Sequence, residues 1–278
     1  MSGEACLSDG QKNNCGSAAG RRAADNFLGL RKGSLSAHRA AEPQDPTKFC
    51  RPDATKYLSK QMHALLIGAT GATGKDLLDL LLNDDDFDRV DIFVRRSVDR
   101  THEKLSVHVI DFDQPEQWRD QVKGDVVFSC LGTTLKAAGS KEAQWRIDYD
   151  YQYEFAKAAR ENGVGNYVLV SSSGASPNSF LFYPRMKGQL EDAVKSLGFS
   201  KVSIFNPPIL ERKNTDRSGE VIGLKVIRFV NRLGLFCSQR PMPTEVLAQA
   251  LINAAKLNED GIHVYPAEKI WEGAEPRQ

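Results

Sequence analysis

Three glycines separate an apolar run from a leucine-rich segment near residue 70 of this 278-residue chain. Gly68, Gly71 and Gly74 stand between residues 64–67 and residues 77–82. This pattern predicts a strand that turns through glycine into a helix with one buried face. A helix N-terminus offers free N–H groups and a positive dipole end, so a phosphate can bind where no side chain blocks the backbone. The loop therefore predicts a nucleotide site, although a purely structural turn gives the same spacing.

The residues of this glycine loop have separate expected roles. We expect Gly71 to admit a pyrophosphate and Gly74 to let strand and helix pack closely, while the loop threonines donate hydrogen bonds. A mononucleotide P-loop is excluded, because Ala69 stands where glycine is required and Asp76 stands where Ser or Thr would bind Mg²⁺. The predicted dinucleotide contacts in the loop are Gly68, Thr70, Gly71, Ala72, Thr73 and Gly74.

Two arginines follow the second predicted strand, where a dinucleotide site distinguishes its cofactors. A carboxylate there binds the ribose 2′-hydroxyl of NAD, whereas arginine suits the 2′-phosphate of NADP. Arg95 and Arg96 therefore favour NADPH over NADH, unless they are only a solvated surface pair. Asp111, after the third strand, is placed either to accept from the adenine amino group or to cap the next turn.

A second group of reactive residues follows the fifth predicted strand. Ser171, Ser172 and Ser173 end that strand, and Tyr183 and Lys187 open the next helix. Residues four apart share one helix face, and a nearby cation lowers the pKa of a phenol towards a value useful for proton transfer. A serine hydroxyl can hold the substrate oxygen. A Tyr and a Lys at this spacing also occur as a surface pair, but beside the serines and the glycine loop they indicate a catalytic site.

Strands and helices alternate regularly after Met62. Strands are predicted at 64–67, 91–94, 106–110, 125–130, 167–170 and 202–205, with a late edge strand around His263. Helices are predicted at 71–83, 115–122, 141–162, 183–197, 221–233 and 244–257. Nearly continuous apolar strands separated by helices require a parallel sheet covered on both faces. The predicted fold is a doubly wound, mostly parallel α/β Rossmann sheet, in which the link from residue 94 to 106 is too short for a full helix.

Composition excludes several functional classes. A formal net charge of +1 gives no general attraction to nucleic acid, and no apolar stretch approaches the roughly 20 residues of a membrane span. The five cysteines are scattered and lack metal-ligand spacing, so no metal site is predicted. They favour a reduced compartment, and we expect a cytoplasmic protein. Cys130 is expected to pack as a small hydrophobic residue.

Residues 1–61 lack the apolar periodicity of a core segment. They contain no apolar signal region, and the acidic residues Glu4, Asp9 and Asp25 argue against an organelle transit peptide. We interpret this segment as a disordered tail or the product of a misplaced start, with translation beginning at Met62. Residues 62–278 then form a single Rossmann domain.

These motifs together resemble the atypical short-chain dehydrogenase/reductases. The shared features are the loop GATGATG, the arginine pair, Tyr183-x-x-x-Lys187, and Cys130-Leu-Gly-Thr-Thr134 with Ala138-Gly-Ser140. Within this family the chain is similar to the branch of the Tat-interactive protein oxidoreductase and its bacterial homologues, from about residue 62 to residue 274. The resemblance implies a nicotinamide cofactor and a small C-terminal portion, residues 206–278, that covers the substrate.

The resemblance also implies roles for individual residues. Tyr183 would donate or accept a proton, and Lys187 would bind the nicotinamide ribose and lower the pKa of the tyrosine. Ser172 is the serine that we expect to assist, and Ile209 would lie near the nicotinamide amide. Asn206 departs from the arginine that is common in the family. The residues that would border the ribose and nicotinamide half of the cofactor are Leu131, Gly132 and Thr133.

We therefore predict an NADP(H)-dependent oxidoreductase that transfers hydride to or from a small carbonyl or alcohol substrate. One alternative is a regulatory protein that binds NADPH with little or no turnover and controls protein partners. Another is a lyase or epimerase that retains its cofactor. The fold alone does not choose among these functions.

Overall fold

The computed structural model of the protein describes residues 61–211 and 241–275. Almost all of the predicted N-terminal tail, and the predicted helix at 221–233, lie outside the described residues. The boundary at residue 61 therefore stays a prediction.

Strands and helices alternate along the described chain. The strands are β1 (Met62–Ile67), β2 (Phe87–Val94), β3 (Leu105–Val109), β4 (Val126–Ser129), β5 (Asn166–Val170), β6 (Lys201–Asn206), β7 (Leu210–Glu211), β8 (Met242–Pro243) and β9 (Gly261–Pro266). The α-helices are α1 (Ala72–Leu82), α2 (Leu135–Ala138), α3 (Lys141–Trp145), α4 (Tyr151–Glu161), α5 (Phe182–Lys195), α6 (Thr244–Lys256) and α7 (Ala267–Gly273). A π-helical turn, Arg146–Asp150, joins α3 to α4.

The main sheet is parallel and has the strand order β3-β2-β1-β4-β5-β6-β9. Residues 64–67 of β1 are fully buried because helices cover both faces of the sheet. The chain reverses its direction across the sheet between β3 and β4, so the carboxyl ends of β1 and β4 border the crevice where such folds bind ligands. The predicted doubly wound Rossmann fold is confirmed. Residues 95–104 form no helix, as the short link predicted.

Each face of the sheet has its own hydrophobic core. Helices α1 and α6 pack on one face, and α4 and α5 pack on the other. Leu247 and Leu251 of α6 are fully buried in the first core, and β9 extends the sheet beyond β6. The described part of the predicted substrate-covering portion, residues 206–278, therefore includes a helix and the edge strand of the Rossmann layers. The edge position predicted for His263 agrees with this arrangement.

Two predicted helices differ from the observed elements. The helix predicted at 141–162 contains the π-helical turn, which inserts a residue and changes the direction of the side chains that follow. The segment 115–122 forms two short 3₁₀ turns instead of one helix. Between these turns the buried indole of Trp118 donates to the carbonyl oxygen of Asp111 at 2.8 Å. Packing of this side chain therefore overrides the local helical pattern.

A charged cluster lies at Asp91 in the middle of β2. Its carboxylate is 2% exposed and accepts two hydrogen bonds from Arg89, of 2.8 and 3.0 Å. His108 Nε2 lies 3.0 Å from Oδ2, and His63 Nε2 lies 3.1 Å from Oδ1 without the alignment of a hydrogen bond. Burial alone would raise the pKa of Asp91, but these three partners lower it well below its usual value. The cluster links β1, β2 and β3.

Asp91→Asn is expected to lower the free energy of unfolding at pH 7 by about 2 kcal/mol, because it weakens the hydrogen bonds and ion pairs of the buried carboxylate with Arg89 and His108. The half-exposed position of Arg89 keeps this loss moderate. Since the folded-state pKa of Asp91 is depressed, its contribution is present above the ordinary carboxyl pKa and is lost as the pH falls through the folded value. Chemical denaturation at pH 7 and at about pH 3 should therefore show a larger acid loss in the wild type than in the variant. Asp88→Asn, an exposed neighbour, is the control; equal effects of the two substitutions would contradict this role.

Candidate cofactor and active site

The glycine loop lies at the carboxyl end of β1, against the end of β4. Gly68 has a φ of +84°, and a Cβ atom there would stand 2.4 Å from the carbonyl carbon of Cys130. A Cβ atom on Gly74 would stand 2.1 Å from the carbonyl oxygen of Gly68. No side chain fits at either position, so both require glycine. The fold thereby brings the loop against the segment Cys130–Thr134, which is distant in the sequence.

The first turn of α1 presents backbone donors at this loop. The helix begins at Ala72 after Gly71, and no side chain caps it. Its first N–H groups are therefore available to an anion. Thr70 is exposed, whereas Thr73 is only 6% exposed. Of the two loop threonines, Thr70 is the one placed to meet a ligand.

A cavity of about 330 Å³ joins the glycine loop to the end of β2. Both Arg95 and Arg96 are exposed, and no carboxylate of the described residues forms an ion pair with either guanidinium. Ser97 also lines this cavity and was not predicted, although its position directly after the two arginines pointed to it. The residues that line the cavity are Thr70, Val94, Arg95, Arg96, Ser97 and Val98.

Asp111 has the second of its two predicted roles, that of capping the next turn. Its Oδ1 accepts from the N–H of Asp113 at 3.0 Å, and its Oδ2 accepts from Nε2 of Gln114 at 2.8 Å. The carboxylate thus caps the turn after β3. A contact with adenine stays a prediction.

Asp148, on the π-helical turn, holds the segment that follows β4. It is fully buried, and its Oδ1 accepts from the N–H of Thr133 at 2.8 Å. Gln144 Nε2 donates to the carbonyl oxygen of Thr133 at 3.2 Å, and a Cβ atom on Gly132 would stand 3.3 Å from Asp148 Oδ1. Neither Asp148 nor Gln144 was predicted as an anchor of this segment. Gln144, Asp148 and Gln152 are each separated by four residues, so they share one helix face. That pattern of polar residues on a face that packs inward could have indicated these anchors.

Lys187 is buried one helical turn after the predicted catalytic tyrosine. Tyr183 lies in the first turn of α5 and is 37% exposed, whereas Lys187 is 2% exposed. Burial lowers the pKa of Lys187, and the negative charges of Asp148 and Glu191 oppose this shift. Burial also raises the pKa of Asp148, and Lys187 opposes that shift in turn. Lys187 is therefore a buried lysine and not an exposed surface residue, whereas the catalytic role of Tyr183 and Lys187 stays a prediction.

The three serines after β5 have different environments. Ser171 is 5% exposed and donates from Oγ to Oε1 of Glu191 at 2.5 Å. Ser172 is half buried, and its Oγ donates to the carbonyl oxygen of Ser173 at 3.2 Å. Ser173 is exposed. The Ser171 hydroxyl therefore makes a hydrogen bond inside the protein. The predicted role of Ser172 in holding the substrate oxygen stays a prediction.

The segment after β6 contributes one internal and one exposed side chain. The Asn206 amide donates to Glu191 Oε1 at 2.7 Å and to the carbonyl oxygen of Ser172 at 3.2 Å. Ile209 is 45% exposed, and its carbonyl oxygen accepts from the N–H of Met242 at 3.0 Å. The Asn206 side chain therefore makes its hydrogen bonds inside the protein. This explains how asparagine is accommodated at the position where arginine is common in the family.

A larger cavity of about 820 Å³ lies along α3 and the π-helical turn that follows it. It extends from Arg95 to Phe182, the residue before Tyr183, and Trp145 lies 6.2 Å from Phe182 between ring centroids. Its other lining residues are Ser140, Lys141, Glu142, Ala143, Arg146, Ile147, Asp150 and Tyr151. The predicted cofactor residue Arg95 therefore belongs to the walls of both cavities.

Cys130 has a free thiol, and it packs against the core beside Lys187. Burial raises the pKa of this thiol to about 12, so the thiolate is strongly disfavoured. In residues 61–211 and 241–275 there is no cluster of metal-ligating side chains. No helix within those ranges is long and apolar enough to cross a membrane.

A protein-family model matches the part of the chain that contains the candidate site. The model of an NAD(P)H-binding family matches residues 68–211, a range that contains the glycine loop, the arginine pair, the serines, Tyr183 and Lys187. The chain belongs to this NAD(P)H-binding family. Its fold and the predicted family are thereby confirmed, and the shared property is an NAD(P)-binding domain.

Curated relatives cover most of the chain. The protein fmp52 of Aspergillus clavatus is 33% identical over 216 residues, which span 74% of this chain and 92% of that protein. The protein FMP52-1 of Scheffersomyces stipitis is 32% identical over 223 residues, which span 76% of this chain and 98% of that protein. This family membership therefore extends beyond the glycine loop to nearly the full length of the relatives.

Solved structures share the fold at lower identity. MoeE5 in complex with UDP-glucose and NAD has a TM-score of 0.57 and 17% identity, covering 73% of this chain and 75% of that chain. A short-chain dehydrogenase/reductase superfamily protein from Agrobacterium tumefaciens with bound NAD has a TM-score of 0.55 and 15% identity, covering 73% and 76%. These similarities establish the fold alone.

The predicted cytoplasmic location is wrong. The Fmp52 relatives from Aspergillus niger, Aspergillus clavatus and Scheffersomyces stipitis are all named mitochondrial proteins. The prediction relied on scattered cysteines and on acidic residues near the N-terminus. Cysteine usage indicates only a reducing environment, so it does not distinguish one reducing compartment from another.

Gly74→Ala is expected to weaken NADPH binding at least tenfold and to cost about 1–3 kcal/mol of stability, because the new methyl group overlaps the carbonyl oxygen of Gly68. Fluorescence titration with NADPH and thermal unfolding measure the two effects. Gly165→Ala is the matched control, since a Cβ atom there meets its nearest neighbour at 3.7 Å. NADPH affinity that is equal in the two variants would show that the loop does not hold the cofactor.

Proposed function

We propose that the protein is an NADP(H)-dependent oxidoreductase that acts on a small carbonyl or alcohol substrate. The observation that carries this proposal is the buried Lys187, one turn after the exposed Tyr183, beside the segment that adjoins the glycine loop. A solvated lysine would give no reason to expect chemistry. A buried cation one turn after a phenol on the same helix face is an arrangement suited to proton transfer.

The glycine loop supports a dinucleotide with its diphosphate at the start of α1. Gly68 and Gly74 leave a side-chain-free surface there, and the uncapped first turn of α1 offers N–H donors. Arg95 and Arg96 favour the 2′-phosphate of NADP, because both are exposed in one cavity with Thr70. The neighbouring segment, residues 131–133, is assigned to the ribose and nicotinamide half.

The reaction divides between the cofactor and the protein. When bound, NADPH supplies the hydride. Tyr183 donates a proton to the substrate oxygen in the reductive direction, and the ammonium of Lys187 stabilises the resulting phenolate. Ser172 orients the same oxygen through its hydroxyl. The larger cavity that ends at Phe182 gives a substrate a route to Tyr183.

The names of the Fmp52 relatives support a mitochondrial location for this chain as well. A mitochondrial matrix is reducing, which is compatible with a free, buried Cys130.

Arg95→Asp is expected to lower the ratio of NADPH to NADH affinity about 10- to 100-fold, since it removes a phosphate partner and adds a like charge. Titration of both cofactors against the wild type and the variant measures this ratio. Arg100→Gln is the control, because Arg100 lies in the same loop but pairs with Asp79. A ratio that stays unchanged in Arg95→Asp would remove the argument for NADP.

Tyr183→Phe is expected to lower NADPH consumption at least 100-fold, with NADPH affinity within about threefold of the wild type, since only the proton donor is removed. Absorbance at the NADPH band, followed with a panel of aldehydes, ketones and quinones, measures turnover. Tyr153→Phe is the control on the adjoining helix. If the wild type binds NADPH but consumes none with any substrate, the regulatory or redox-neutral alternatives replace this proposal.

A further inference from the structure

A buried carboxylate on α5 joins three parts of the site. Glu191 is 8% exposed and lies one helical turn after Lys187. Its Oε1 accepts from Ser171 Oγ at 2.5 Å and from Asn206 Nδ2 at 2.7 Å. Ser171 directly follows β5, and Asn206 ends β6. One carboxylate oxygen therefore ties two strand ends to the helix that carries Tyr183 and Lys187.

The same contacts fix the backbone of Ser172. Asn206 Nδ2 also donates to the carbonyl oxygen of Ser172 at 3.2 Å. Gly188 lets α5 approach the downstream part of this loop, because a Cβ atom there would stand 2.2 Å from the carbonyl carbon of Ser176. The loop is thus held against α5 by backbone packing and by the hydrogen bonds that converge on Glu191.

The charge of Glu191 also acts on the buried ammonium. The titratable groups that face Lys187 are Asp148 on the π-helical turn, Cys130 at the end of β4, and Glu191 on its own helix. Burial disfavours the protonated lysine, and Asp148 and Glu191 favour it. Lys195 lies at the solvent side of Glu191, with Nζ 3.9 Å from Oε2, so it does not replace Lys187 as the buried cation.

We propose that Glu191 is a positioning residue for the predicted reaction: its carboxylate holds the Ser171–Ser173 segment and the end of β6 against α5, and it places a buried negative charge one helical turn from Lys187. This inference rests on the proposed function, because it assumes that the charged Lys187 contacts the bound cofactor. Glu191 acts through Ser171 and Asn206, which donate to its Oε1, and not through a contact of its own with cofactor or substrate.

The test follows NADPH affinity by fluorescence from about pH 6 to about pH 10, because burial lowers the pKa of Lys187 from its ordinary value and so moves the loss of its proton towards neutral pH. In the wild type, affinity should fall at alkaline pH as Lys187 becomes neutral. In Glu191→Gln, which keeps the shape and an oxygen acceptor, this fall should move about one pH unit lower. NADPH affinity near pH 6 should stay within about threefold of the wild type, because the phosphate contacts are unchanged.

Two variants control for general effects on α5. Asp192→Asn removes an adjacent, exposed carboxylate that pairs with Lys195 at 3.1 Å, and it should leave the pH of the fall unchanged. Glu191→Asp keeps the charge and should largely restore the wild-type profile. If Glu191→Gln does not fold, the double substitution Ser171→Ala/Glu191→Met removes the acceptor and one of its two donors, while Asn206 keeps its hydrogen bond to the carbonyl oxygen of Ser172. The same downward shift is expected for it.

The outcomes separate the two proposals. A wild type that does not bind NADPH overturns the proposed function and, with it, this role of Glu191. A wild type that binds NADPH without an alkaline fall, or a Glu191→Gln profile that matches the wild type, overturns only the role of Glu191. An equal shift of this pH in Asp192→Asn would also overturn the role of Glu191, because removal of any negative charge on α5 would then have the same effect.

Discussion

Direct backbone contact between the glycine loop and the end of β4 is the constraint on which the rest of the site depends. Gly68 lies against the carbonyl group of Cys130, and Gly74 lies against Gly68, with no room for a Cβ atom at either glycine. These contacts seat α1 on β1 and align the crevice with residues 131–133. Asp148 then holds that segment from the opposite side through the N–H of Thr133.

A group of buried charged side chains is the second constraint, because their burial costs free energy that the surrounding hydrophobic packing must offset. Lys187, Asp148 and Glu191 are all nearly inaccessible to water, and each loses hydration in the folded state. Hydrogen bonds to Thr133, Ser171 and Asn206 compensate the carboxylates. Such an arrangement gives a fixed electrostatic environment at the expense of stability, which is common where a protein binds or transforms a ligand.

The sequence predicted the larger part of the fold because its strands are apolar and its helices carry regular leucine spacing. The glycine loop and the spacing of Tyr183 and Lys187 were visible for the same reason: each is set by neighbours in the chain. Contacts between distant segments were not visible. The π-helical turn, the Thr133 anchor at Asp148 and the inward direction of Asn206 depend on how α4, α5 and β6 pack together.

Local polarity misled the prediction at other positions. Phe87–Val94 forms a longer strand than the predicted 91–94, because residues 87–90, which include the exposed Asp88 and Arg89, also pair with β1. Trp118 divides the predicted helix at 115–122 because its buried indole requires a hydrogen bond to Asp111. The error in cellular location was of another kind, since it relied on composition where no packed structure supplied a constraint.

The shared position of Arg95 has a thermodynamic consequence. Because its guanidinium lines both the 330 Å³ and the 820 Å³ cavities, an anion bound in the smaller cavity removes positive potential from the wall of the larger one. Occupants of the two cavities therefore influence each other's affinity without touching, and by reciprocity to the same degree. An anionic occupant of the large cavity would bind more weakly after the small one is filled, whereas a neutral occupant would be nearly indifferent.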